Sequence, residues 1–226
     1  KERELLFVNW LKMISTDAAE IFLMGDIFDF WFEYKKVVPK GFTRVLGKIA
    51  EITDSGVPVH FFTGNHDIWI FDYLPAETGI ILHKEPFRIR FSDKKFYLAH
   101  GDGLDTDDKG YIMMKKFFTS KLLQRLFTWI HPDLAIRLAH KWSKTSRLSK
   151  KIDGTDFRAE QEGLYKFAQS VLLHEPVDYF VFGHRHRLAD LKIGENSRFI
   201  LLGEWLKTFS FGVFDGKTFE LKKFNN

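Results

Sequence analysis

Four short apolar runs in this chain end in the same way, and that shared ending limits the possible folds more than any other feature. "IFLM" (21–24) runs into Gly25-Asp26, and "VHFFT" (59–63) into Gly64-Asn65-His66-Asp67. "FYLA" (96–99) runs into His100-Gly101-Asp102, and "YFVF" (179–182) into Gly183-His184-Arg185-His186. Short apolar runs bounded by turn residues read as buried strands. In open α/β sheets, sites form outside the carboxyl ends of such strands. Four strands would therefore deliver aspartate, asparagine and several histidines to one rim. Imidazole, carboxylate and amide oxygen without thiolate suit manganese, iron or zinc. A carboxylate such as Asp26 can bridge two cations, and two ions roughly 3.5–4 Å apart clamp a phosphoryl group.

The remaining segments fit a layered α/β sheet. Residues 4–14 and 42–53 read as helices that alternate with the first two strands. "FRIRFSDKKFYLA" (87–99) and the alternating segment around Asp215-Gly216 read as hairpins. At 226 residues the chain can bury a sizeable core, and its 25 Phe predict a bulky one. The absence of cysteine excludes disulfides, zinc–thiolate sites and cysteine nucleophiles. No phosphate-binding P-loop or G-x-S-x-G elbow occurs, and no apolar run is long enough to span a membrane, so an intracellular protein is the default expectation.

One segment differs in character. Residues 115–151 hold ten Lys or Arg against one acid, Asp133, interleaved with "FF", "LLQRLFTWI" and "LAIRLAHKW". A pair of helices with solvated basic faces is one reading. A basic, apolar cap that grips an amphipathic anion at a membrane surface is the other. The net charge of +4 favours anionic partners without choosing among them. Isolated histidines such as His60, His83, His131, His140 and His174 read as structural or surface residues.

Taken together, "GDIFD", "GNHD", "HGD" and "GHRH" resemble, in order, the last four motifs of the calcineurin-like metallophosphoesterase family. "GDIFDFW", "HGDGLDTDDKGY" (100–111), "LQRLF" (123–127), "KTS" (144–146), "GHRHRL" and "LGEW" (202–205) are similar to stretches of those members that cleave UDP-2,3-diacylglucosamine in lipid A synthesis. The likeness covers nearly the whole chain. It implies a layered β-sandwich flanked by helices, with a core of residues 1–108 and 153–226 and an inserted helical lid over 109–152. The family's first motif, D-x-H on an opening strand, has no match here, and the expectation is that this strand lies upstream of Lys1. His66 stands where the closest members often carry arginine, and their acidic loop after the first motif is replaced by "FEYKKVVPKG".

The resemblance also implies roles. Asp26 would bridge two divalent metals, with Mn favoured and Fe or Zn sharing the ligand set. His186 would serve one metal, and Asn65, His100 and His184 the other. His66 would donate to the phosphoryl oxygens or the leaving group, with Asp67 either holding its ring or capping a loop. Asp102 would support the loop instead of binding metal. Asn65, Asp108, Tyr111 and Ser146 match substrate-contacting positions, although an aspartate at 107 or 108 is equally a helix N-cap. Phe28 and Trp31 read as packing behind Asp26. The implied partners are an amphipathic UDP-sugar lipid and the cytoplasmic face of the inner membrane, with no nucleic acid. Two other readings remain: a phosphoesterase for another nucleotide or phosphodiester, and an inactive scaffold on the same fold.

Overall fold

The computed structural model describes residues 1–105, 107–138 and 162–225. Both expected helices form, α1 over Glu2–Ile14 and α2 over Thr43–Asp54. Strands β1 (Ile21–Leu23) and β2 (Val59–Phe62) pair in parallel. After a short helix α3 (Tyr73–Thr78), strand β3 (Ile81–His83) joins them in a three-stranded sheet. The expected hairpin is β4 (Phe87–Phe91) with β5 (Lys94–Ala99). Helices α4 (Lys109–Thr119), α5 (Lys121–Phe127) and α6 (132–138) follow. The chain then returns through α7 (Gly163–Leu172) to β6 (Tyr179–Phe182), β7 (Leu188–Ile193) and β8 (Ser197–Leu202). These make a five-stranded sheet in the order β4-β5-β6-β8-β7, and β9 (Ser210–Phe214) with β10 (Phe219–Lys223) forms the second expected hairpin.

The period-2 geometry of strands sorts the side chains into layers. Val59 and Phe61 of β2 face a cluster shared with Trp10 and Leu11 of α1 and Val45, Ile49 and Ile52 of α2. Phe62, on the opposite face, meets Phe96 and Leu98 of β5 and Val181 of β6 between the two sheets. Tyr97, Phe180, Phe182 and Phe199 point outward again, onto Leu164 and Ala168 of α7. Four layers result: helices, sheet, sheet, helix. Continuous apolar runs such as "YFVF" make sense only because both faces are buried. Phe28 and Trp31 pack at 4.6 Å in the first cluster, the packing role expected behind Asp26. His60 lies on the inner face of β2, stacked 4.4 Å from Phe22, with its Nδ1 2.8 Å from His83 Nε2.

One buried acid ties the segment after the first motif to the segment after the second. Glu33 is 7% exposed, and its carboxylate accepts N–H bonds from Phe71, Asp72, Tyr73 and Leu74 at 2.8–3.3 Å, and from the Trp31 indole at 3.2 Å. It thereby caps the open N–H groups of α3, where a negative charge also suits the helix dipole. Glu33→Ala is expected to leave these donors buried and unpaired and to cost about 2–4 kcal/mol, read from urea unfolding. A loss under about 0.5 kcal/mol would mean that water replaces the carboxylate.

Candidate metal centre

The loop after β1 turns through two left-handed residues, Gly25 (φ 90°) and Asp26 (φ 55°). This backbone costs a non-glycine residue on the order of 1–3 kcal/mol and persists where the surroundings enforce it. His184 (φ 58°) and His186 (φ 51°) share it. Three expected ligands therefore carry the same strain. Close approach governs the neighbouring loop. A Cβ on Gly64 would stand 2.2 Å from Asp26 Oδ1, so only glycine lets the loops after β1 and β2 meet. The backbone N–H of His66 then donates to Asp26 Oδ1 at 2.9 Å.

His100 is buried at the end of β5, and its Nδ1 lies 2.7 Å from the Met24 carbonyl oxygen. A carbonyl only accepts, so Nδ1 carries the proton and Nε2 faces the site. That Nε2 lies 3.4 Å from Asp26 Oδ2 and 3.3 Å from His184 Nδ1. One ligand atom from each of Asp26, His100 and His184 lies within 4.8 Å of the others. Donors about 2.1 Å from a cation, at tetrahedral or octahedral angles, stand roughly 3.0–3.4 Å apart, so the two spacings at His100 Nε2 suit donors to a common ion. Asn65 sits in the adjoining loop, between Gly64 and His66. His186 stands further out. Burial lowers its pKa, while Asp26 and Glu204 pull it back up.

The expected hold of Asp67 on the His66 ring is not made. Asp67 is fully buried, and its two oxygens accept from Gly64 N–H at 2.6 Å and Ile27 N–H at 2.9 Å. It clamps the two loops together through both oxygens. The His66 Nδ1 bonds the Asp29 carbonyl oxygen at 3.0 Å instead, which leaves Nε2 as its outward nitrogen. Asp102 has the expected support role. Its Oδ2 accepts from Tyr111 Oη at 2.9 Å and from Lys115 Nζ at 2.8 Å, tying α4 to the loop of His100. Asp108 takes the N-cap alternative and accepts the Tyr111 N–H at 2.9 Å. The Tyr111 ring meets His184 edge-on at 5.7 Å, and a small cavity lies between Asp108, Tyr111, His184 and Arg185. Ser146 lies outside the described residues.

Sequence reasoning missed the Asp29 carbonyl and the ion pairs of Arg185 with Asp105 and Glu162. The cation between two histidines was visible in "GHRH", but its partners lie in distant segments.

Charge within the site is coupled. Burial alone would lower the His100 pKa, yet the Asp26 carboxylate raises it to about 9. Burial would raise Asp26, but His100 and His66 hold it well below the usual carboxylate range. Burial, with Asp26 beside it, pushes Asp67 up to about 7. These are the marks of an anionic pocket holding a proton on His100 Nε2 that a cation would displace.

The calcineurin-like phosphoesterase family model matches residues 6–188, and the chain belongs to that family. Members of this family work with a dinuclear metal centre. Among curated relatives, the UDP-2,3-diacylglucosamine hydrolase of Porphyromonas gingivalis is 41% identical, covering 94% of this chain and 86% of that protein. The enzyme of the same name from Haemophilus influenzae is 30% identical over 92% of this chain and 86% of its own length. That of Yersinia pestis is 27% identical over 88% and 82%.

Protons and a divalent cation compete for His100 Nε2. With a metal-free pKa of about 9, the ring is charged at neutral pH, so Mn²⁺ binding there should release a proton. The apparent affinity should rise with pH and level off above about 9. Calorimetric titration in buffers of different ionisation heat measures both. An affinity that stays constant from neutrality upward would remove His100 from the ligand set.

Proposed function

We propose that this chain hydrolyses the pyrophosphate bond of UDP-2,3-diacylglucosamine, yielding UMP and 2,3-diacylglucosamine 1-phosphate. Water adds to the α-phosphorus, the bond to the bridging oxygen breaks, and the lipid sugar phosphate leaves. The observation that carries this reading is the short link from the histidine cluster to an apolar, cationic helical layer. Asp102, two residues after His100, holds both Tyr111 and Lys115 of α4. The identity with relatives of that name supports the choice of substrate.

Asp26 would bridge two divalent ions, with His186 on one and Asn65, His100 and His184 on the other. Manganese suits these donors, as iron and zinc do. When bound, the ions supply Lewis-acid activation of phosphate and water. The chain's own residues supply orientation and protons. With Nδ1 held by the Asp29 carbonyl, His66 Nε2 is the atom that can pass a proton to a phosphoryl oxygen or to the leaving group. Asp67 acts indirectly, by keeping the loops of Asp26 and Asn65 together.

We assign residues 109–152 as the lid, with Asn65, Asp108, Tyr111 and Ser146 as contacts for the substrate. On its described part, Met113, Phe117, Leu122, Leu126 and Trp129 are exposed, with Trp129 at 80%. Lys109, Lys116, Lys121, Arg125 and Arg137 lie among them. Apolar side chains suit acyl chains, and cations suit diphosphate or anionic headgroups. Among the described residues no helix is long and apolar enough to cross a membrane. The reading is of a protein that rests on the cytoplasmic face of the inner membrane.

UMP release from UDP-2,3-diacylglucosamine with Mn²⁺ tests the proposal, using protein expressed from the whole gene. Asn65→Ala should lower kcat by roughly 100-fold or more, and UDP-GlcNAc should be a poor substrate. Metal-dependent cleavage of simple phosphodiesters, without release from the lipid, would keep the metal centre and overturn the substrate.

A further inference from the structure

Arg185 stands between His184 and His186, so the guanidinium is flanked by two residues in left-handed backbone, at φ 58° and 51°. Its Nε donates to Glu162 Oε1 at 2.5 Å, and its Nη2 to Asp105 Oδ2 at 3.1 Å. The side chains of Arg185, Glu162 and Asp105 are 29%, 13% and 21% exposed, so the three charges sit largely out of water. Glu162 is the N-cap of α7, accepting the Leu164 N–H at 3.4 Å. Asp105 belongs to the loop that leaves His100. A Cβ on Gly163 would fall 1.9 Å from its carboxylate, so that carboxylate lies directly on the first turn of α7. One arginine therefore joins the loop after β5, the start of α7 and the loop after β6.

We infer that Arg185 is a positioning residue, whose two ion pairs hold the GHRH loop so that His184 and His186 face the metal centre. The inference rests on the reading of those histidines as ligands. The left-handed residues on either side need an external hold, because the strain opposes them and short loops relax when unpinned. Two carboxylates approached by one fork of donors give that hold both direction and strength, which a single ammonium could not match. Removal of Arg185 would also leave Asp105 and Glu162 facing each other at the base of α7, with repulsion pushing the loops apart.

The sign of one measurement separates positioning from charge. Arg185 is a cation beside a cation-binding site, so on charge alone its removal would tighten metal binding. Loss of positioning weakens it. Calorimetric titration of metal-free protein, expressed from the whole gene, with Mn²⁺ reads this directly. Arg185→Ala is expected to lower the affinity roughly 10–100-fold, the usual effect of removing a group that orients a ligand. UMP release should show a lower kcat with little change in KM for the lipid. Arg185→Lys, which can satisfy one carboxylate, should recover part of both losses. Where Arg185→Ala does not fold, Arg185→Lys, which keeps the charge but loses the fork, carries the same expectation with a smaller drop.

Equal or tighter Mn²⁺ binding by a variant with a lowered melting temperature would overturn the inference and leave Arg185 as a fastener of α7. A wild-type protein that binds no Mn²⁺, like a His184→Ala control, would refute the metal-centre reading and this inference with it. The two failures are thus distinct.

Discussion

The site depends on a buried carboxylate that is not itself a candidate ligand. Asp67 accepts N–H bonds from Gly64 and Ile27, one from each of the loops that follow β1 and β2. The parallel pairing of these strands aligns their ends, and this clamp, together with the Trp31 N–H bond to the His66 carbonyl oxygen at 3.0 Å, holds the loops where the His66 N–H reaches Asp26. The clamp has a cost. Burial and the neighbouring Asp26 both disfavour a charge on Asp67, whose pKa rises to about 7. Compared with an unfolded carboxyl, it favours the metal-free fold most below the ordinary pKa of 3.8, and this contribution is lost as pH rises through about 7. A cation held by Asp26 would offset the repulsion between the two carboxylates. The fold and the metal centre are coupled through these two acids.

A second set of ion pairs couples the centre to the helices above it. Asp102 holds Tyr111 and Lys115 of α4, and Arg185 holds Glu162 at the head of α7. The helical layer is therefore fastened at its entry and at its return to the loops that carry His100 and His184. Aromatic packing adds a third point. Trp69 donates to the Phe118 carbonyl at the end of α4 at 2.8 Å and lies 4.9 Å from the Phe127 ring of α5.

The fold was legible where burial is simple. "VHFF" and "YFVF" read as strands because both faces meet apolar layers, and "FDGKTF" read as a hairpin because its turn chemistry is local. Strands β3 and β7 were less legible. β3 is three residues long, and β7 is a partly exposed edge strand that gains its pairing only from β8. Asp67 shows the limit for the site. Its place in "GNHD" marked it as functional, yet whether it would hold an imidazole or a loop depended on which backbone N–H groups came within 3 Å.

By itself the sequence determined where the ligand-bearing strands fall, the glycine-bounded turns and the types of ligand at each strand end. Hydrophobic period, turn propensity and donor chemistry are properties of neighbouring residues. Only the tertiary structure decided which donors share one point, which tautomer His100 adopts and which acids Arg185 binds. The partners involved lie 76 residues apart for Met24 and His100, and 80 for Asp105 and Arg185. Contacts over such separations arise from packing two sheets and their helices together, and no local pattern encodes them.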